Sequence, residues 1–345
     1  MIVAPLTYVN DIPSRQTEIR LKEQLVTKIS LACYTLILGP WQNYRVVFIS
    51  FHVTGSYKWD DRLRKSIIVT GASSGIGKAT VIKLVESGYQ VFGLARRYDN
   101  LTSIYSELPL SIEDKEKQYI AMQCDITKPE RFDEIIKDIS SKAQGNTIYG
   151  LVNNAGYVEP GAIEDITIQD IRNQFEINFF GLVELTKKII PVMLESNQGR
   201  IANVSSVAGL ISLPLIGAYS ASKYALEAVT DALRMELWNT NIKVITINPA
   251  FVNTNINTVS KPKLDNLIEK KSSRFSKTYR KYMYNVPKGL SSDSVADIIL
   301  KAISSPKPKT RYVVGSTALK LGVRMKKFVP DRIIFSQVAK RIHKN

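Results

Sequence analysis

Thr70-Gly71-Ala72-Ser73-Ser74-Gly75-Ile76-Gly77 stands between an apolar run, Ser66 to Thr70, and a helical pattern, Ile76 to Ser87, and that position decides the fold. A strand that ends in a glycine turn and opens directly into a helix presents backbone N–H groups and a helix N-terminus to a pyrophosphate. Gly71 permits the tight turn, Gly75 lets the backbone approach the phosphates, and Gly77 lets helix and strand pack closely. Ser73, Ser74 and Ile76 complete the expected cofactor loop. The second strand ends in Leu94-Ala95-Arg96-Arg97. Ala95 stands where a carboxylate would hold an NAD ribose, and Arg96 and Arg97 offer guanidinium groups to a 2′-phosphate, so the expected cofactor is NADP(H).

Outward from this turn, short apolar runs alternate with helical patterns, the signature of βαβ units and a parallel sheet. Strands are expected at Gln90–Leu94, Ile120–Cys124, Gly150–Asn153, Arg200–Val204, Lys243–Ile247 and Arg311–Val314, and helices at Glu130–Lys142, Thr167–Leu194 and Ala218–Trp238. The fold class is therefore α/β, a Rossmann-type doubly wound parallel sheet of about seven strands with helices on both faces, in a single domain over residues 65–345.

The helix expected at 218–238 carries the chemistry. Tyr219 and Lys223 are four residues apart, so they emerge on one helix face, and Ser206 lies thirteen positions upstream. A free phenol, with a pKa of about 10, exchanges protons poorly at neutral pH. A neighbouring ammonium is expected to lower it into the range of acid/base work, which makes the three residues a proton-delivery group for a carbonyl. The spacing alone is not diagnostic, because Tyr284 and Lys288 repeat it with Pro287 between them and no serine segment before them. That second pair is read as chance.

Composition removes other classes. Cys33 and Cys124 are the only cysteines and His52 and His343 the only histidines, so no disulfide framework, no metal site and no Ser-His-Asp hydrolase is expected. The net charge of +16 is confined to the end of the chain: residues 261–345 hold 21 Lys and Arg against 5 Asp and Glu, and the rest holds 26 against 26. Such an excess suits an anionic membrane surface or an acidic substrate. Nucleic acid is not expected, since no recognition motif accompanies the charge.

Several separate motifs, in order, resemble the short-chain dehydrogenases/reductases, main single-domain branch, over roughly residues 65–320. Beyond the glycine turn these are Asp125-Ile126, Asn153-Asn154-Ala155-Gly156, Asn178 in Ile177-Asn178-Phe179-Phe180-Gly181, Ser206 with Tyr219 and Lys223, and Asn248-Pro249-Ala250-Phe251-Val252-Asn253-Thr254. The family usually has Gly where this chain has Ala250. The resemblance implies a catalytic group of Asn178, Ser206, Tyr219 and Lys223. It implies cofactor contacts from Asp125, Ile126, Asn153, Ala155, Gly156, Pro249, Val252 and Thr254, with Tyr219 and Lys223 also at the nicotinamide ribose. Asn178 would hold a water that relays protons to Lys223. Asn153 to Tyr157, Ser205 to Gly209 and Arg311 to Gly315 look closest to the 17β-hydroxysteroid and retinol dehydrogenase group. A homodimer or homotetramer is implied by the same likeness.

The expected function is interconversion of a carbonyl and an alcohol on a lipid-like substrate such as a steroid, retinoid or acyl-ketone. The alternatives are a 3-oxoacyl thioester reductase and a non-catalytic NADPH-binding protein at a membrane surface. Residues 253–289 are expected to cover the pocket as an amphipathic lid, and residues 316–345 to form a basic end that lies against a membrane surface of a cytoplasmic protein. Residues 1–64 do not join the βα alternation. Their apolar runs Ile29–Leu38 and Val46–Val53 are too short to span a bilayer, and the segment is read as a poorly structured extension, an interfacial anchor, or a start-site artefact with translation beginning near Leu63. Peptides from residues 1–60 in a mass spectrum of the native protein would exclude the artefact.

Overall fold

A computed structural model describes residues 65–253, 256–269, 273–284 and 289–343. The expectations for residues 1–64 lie outside them. The strands are β1 Lys65–Thr70, β2 Gln90–Ala95, β3 Tyr119–Gln123, β4 Thr147–Asn153, β5 Gly199–Val204, β6 Ile242–Pro249 and β7 Arg311–Val314. They form one parallel sheet in the order β3-β2-β1-β4-β5-β6-β7. The order reverses between β1 and β4, and ligands of such sheets bind beyond the strand carboxyl ends at that point.

Parity along the strands builds the two cores. Ile67 and Val69 of β1 face one way with Val81, Leu84 and Val85 of helix α1 (Gly75–Glu86), while Ile68 faces the other way with Phe132, Ile135 and Ile139. Successive strand side chains point to opposite faces, so a sheet covered on both sides reads as a continuous apolar run. After β2 come two short helices, α2 Tyr98–Thr102 and α3 Ile112–Gln118, and after β3 comes α4 Phe132–Lys142, which starts after a 3₁₀ turn at Pro129–Arg131 rather than at Glu130.

The long helix expected at Thr167–Leu194 is three pieces. Helix α5 Ile168–Phe175 opens with a capping box between Thr167 and Asp170, a π-turn occupies Glu176–Phe180, and α6 runs Gly181–Glu195. Gly181, where α6 begins, lies against the loop after β3: a Cβ there would meet the Ile126 carbonyl oxygen at 2.1 Å. Helix α7, Gly217–Glu236, follows β5 and carries Tyr219 and Lys223.

After β6, α8 Ile256–Glu269 and α9 Ser276–Tyr284 lie in the segment expected as a lid, and α10 Ser292–Ser304 packs Val295, Ile299 and Ile303 into the first core. Ion pairs hold α8 down: Lys263 Nζ lies 2.7 Å from Glu159 and 2.5 Å from Asp170. Burial works against that charge, but the two carboxylates outweigh it and hold Lys263 above its ordinary value. Leu264, Leu267 and Tyr279 bury against Ala162 and Leu215. Beyond β7 the chain ends in α11 Thr317–Met325 and α12 Asp331–His343. Among the described residues no helix is long and apolar enough to cross a membrane.

Candidate active site

The carboxyl ends of β1 and β4 are stitched together where the sheet order reverses. Thr70 Oγ1 accepts hydrogen bonds from the backbone N–H groups of Asn154 and Ala155, each at 3.0 Å. Asn154 Nδ2 donates to the carbonyl oxygens of Thr70 at 3.0 Å and Gly71 at 3.3 Å. Gly71 has φ +64°, and a Cβ there would meet Ala155 Cα at 2.8 Å, so only glycine fits. The Ser74 side chain leaves the N-terminus of α1 uncapped, and no acidic residue stands in the first turn. Free N–H groups and an unopposed helix dipole there favour phosphate.

A cavity of about 990 Å³ runs over this turn and past the ends of β2, β4, β5 and β6. Gly71, Ser73, Ser74, Gly75, Ile76, Arg96, Arg97, Ile126 and Ala155 line it together with Ser206, Tyr219, Lys223, Pro249 and Val252, and Gly156 lies close to Lys223. Arg96 and Arg97 are exposed, with buried Ala95 before them, so guanidinium groups and no carboxylate meet a ligand there. The residues present therefore fit a dinucleotide.

Four of the expected site residues lie outside the cavity lining. Asn153, the last residue of β4, is wholly buried, and its amide donates to Thr186 Oγ1 and Asn203 Oδ1, both at 2.8 Å; strand parity turns it into the second core, and Asn154 takes its place at the cavity. Gly77 packs against the Gly71 carbonyl, as close helix packing requires, rather than lining the cavity. Asp125 Oδ1 accepts from Thr127 N–H at 3.0 Å and Thr127 Oγ1 at 2.8 Å, shaping the turn after β3. Asn178 is fully buried in the π-turn. Its Oδ1 accepts from Tyr157 N–H at 3.0 Å, and its Nδ2 donates to the Tyr157 carbonyl at 3.0 Å and Ser222 Oγ at 3.2 Å. Both amide hydrogens are engaged, so this side chain ties the Tyr157 loop to α7. Thr254 and Lys288 lie outside the described residues.

Ser206, Tyr219 and Lys223 meet at the cavity floor. Tyr219 is half-buried and hydrogen-bonded to Ser206, whose Oγ also accepts from Ala208 N–H at 3.1 Å. Lys223 Nζ donates to the Val204 carbonyl at 2.8 Å and lies 5.9 Å from the centre of the Tyr219 ring. Burial pulls Lys223 down to about 8, with Glu227 one turn on pushing it back up. Tyr219 is shifted upward by burial, and the Ser206 hydrogen bond opposes that. The expected lowering of the phenol by Lys223 is thus not seen: burial outweighs it and the pocket favours the neutral phenol. Ala250, where glycine is usual, accommodates its side chain without a left-handed backbone and donates its N–H to the Val314 carbonyl at 2.8 Å.

The sequence missed Cys124, Thr127, Tyr157 and Leu213 in the cavity wall. Burial pushes the Cys124 thiol up to about 11 and the Tyr157 phenol up to about 12, so neither is an activated nucleophile or acid at neutral pH.

The family model described as short chain dehydrogenase matches residues 65–265. The chain belongs to the short-chain dehydrogenase family. Curated members of that family include the uncharacterized oxidoreductase YbbO of Escherichia coli strain K12, 34% identical over 275 residues, which are 79% of this chain and 93% of that protein. The NADPH-dependent 3-dehydrocapnine reductase of Ornithobacterium rhinotracheale is 32% identical over 272 residues, 77% and 93% of the two chains. The 3-ketodihydrosphingosine reductase of Bacteroides thetaiotaomicron is 30% identical over 277 residues, 80% and 96%. This short-chain dehydrogenase is accordingly an oxidoreductase.

Proposed function

We propose that this chain is an NADPH-dependent reductase of a ketone or aldehyde carried on a lipid-like molecule. The observation that carries the proposal is the convergence of Tyr219, Ser206 and Lys223 on the floor of a cavity that Arg96 and Arg97 also line. When bound, the nicotinamide cofactor supplies the hydride. Arg96 and Arg97 pair with a 2′-phosphate, and the N-terminus of α1 holds the pyrophosphate. Tyr219 gives its phenolic proton to the carbonyl oxygen, and Ser206 donates a hydrogen bond to the same oxygen as negative charge gathers on it. Burial keeps the Tyr219 phenol protonated, so its proton is present to be given. Lys223 binds the nicotinamide ribose hydroxyls, and Asn178 positions α7 through Ser222.

Two of the relatives are named as reductases of 3-dehydrocapnine and of 3-ketodihydrosphingosine, and this supports a carbonyl on a lipid. The two terminal helices support a membrane-surface location: Leu321, Met325, Phe328, Ile333 and Phe335 are exposed there among Lys320, Arg324, Lys326 and Arg332. Assembly as a homodimer or homotetramer belongs to the same reading and is checked by light scattering. A screen of NADPH oxidation with long-chain 3-ketones, steroids, retinals and ketoacyl thioesters tests the function. Turnover of the first three classes above the thioesters is expected; turnover of none of them refutes it.

A further inference from the structure

We propose that the apolar chamber beneath the C-terminal helix receives the alkyl tail of the substrate whose carbonyl meets Tyr219. This rests on the reductase reading above and names the part of the substrate which that reading leaves open. The chamber, of about 470 Å³, lies between the Ala162–Glu164 loop, the Ser212–Gly217 segment and α12. That volume is in the range that accommodates an organic ligand. Its walls include Ile163, Leu215, Phe275, Ile334, Phe335 and Val338.

The chamber adjoins the reacting site. Leu213 lines both the chamber and the catalytic cavity, and Gly217 of the chamber wall begins the helix that carries Tyr219 two residues later. The two spaces therefore meet along one short segment. That segment is held in place against backbone strain: Leu215 has φ +64°, unfavourable for its side chain, and its carbonyl accepts the Gly161 N–H at 2.7 Å. The charges at the chamber edge are already matched, with Arg274 Nε 2.8 Å and Nη2 3.0 Å from the two Glu164 oxygens, so an alkyl chain rather than a headgroup fits the space. Phe335 lines the chamber and is exposed on the basic terminal face, which leads a tail drawn from a bilayer towards Tyr219.

Calorimetric titration of the NADP⁺-loaded protein with pentan-2-one, nonan-2-one and tridecan-2-one tests the chamber without turnover. Affinity is expected to climb about fourfold for each added methylene (about 0.8 kcal/mol) until the chamber is full. Val338→Trp, and separately Ala339→Trp, is expected to cost tridecan-2-one about tenfold or more while shifting pentan-2-one far less. Affinities independent of chain length, or variants that weaken all three ketones alike, overturn the chamber. So do variants that change the mass in solution and leave the ketone series untouched, which would mark the face as a contact between copies. NADPH oxidation with the same ketones separates the two ideas. A length-dependent affinity without oxidation sinks the reductase and not the chamber; oxidation without length dependence sinks the chamber alone.

Discussion

Burial moves the two titrating groups of the site in opposite directions, Lys223 down to about 8 and Tyr219 up. For Lys223 the shift has a consequence for stability. Its folded value lies below the ordinary 10.5, so between about pH 8 and 10.5 the unfolded chain binds more protons than the folded one, and the lysine's contribution makes stability rise with pH across that window. The stability of the cofactor-free protein relative to Lys223→Met should therefore improve by about 3 kcal/mol from pH 8 to pH 10.5 in chemical denaturation. A constant difference contradicts the shift. In the same cavity, Arg96→Ala with Arg97→Ala should lower kcat/KM for NADPH about a hundredfold and leave NADH nearly unchanged, read in parallel steady-state assays. These arginines, the glycine turn and the Ser206, Tyr219, Lys223 group were legible because each sits at a fixed distance from a strand end or on one helix face. Asn153 and Asn154 were not separable in this way. They differ by one residue, and only the side on which β4 ends decides which of them meets the cavity.

Elements with regular periodicity were legible nearly to the residue, β7 at Arg311–Val314 among them. The break between α5 and α6 was not, because apolar residues continue through Ile177, Phe179 and Leu182 at near-helical spacing while the π-turn adds a residue to one turn. That extra residue places Asn178 against Tyr157 and Ser222. Gly181→Ala should push its methyl into the Ile126 carbonyl, costing about 1–3 kcal/mol and loosening the Asn178 bonds. Thermal denaturation checks the first effect, and a drop in kcat beyond the loss of folded protein checks the second. Helix α10 was also missed, although Ser291 caps it and Val295, Ile299 and Ile303 follow at helical spacing. The helical spacing read in residues 253–289 takes form as α8 and α9, with Pro262 inside α8.

Across the whole molecule, charge and function are divided along the chain. The first 260 residues are neutral in sum and include the catalytic floor and most of the dinucleotide site, while the last 85 hold the entire net charge of +16, part of it on α11 and α12 beside exposed Phe328 and Phe335. The segregation was visible in the sequence. What it lies against was not, because exposure of the apolar residues depends on how the two terminal helices pack. The protein should sediment with vesicles containing phosphatidylglycerol and not with phosphatidylcholine alone, and salt should release it. Equal binding to both vesicles contradicts the electrostatic part. The central claim is that Tyr219 delivers the proton, and one variant tests it directly. Tyr219→Phe should bind NADPH as the wild type does, within about twofold by fluorescence titration, yet oxidise it with a ketone at least about a hundredfold more slowly. Turnover retained near the wild-type rate would contradict the account.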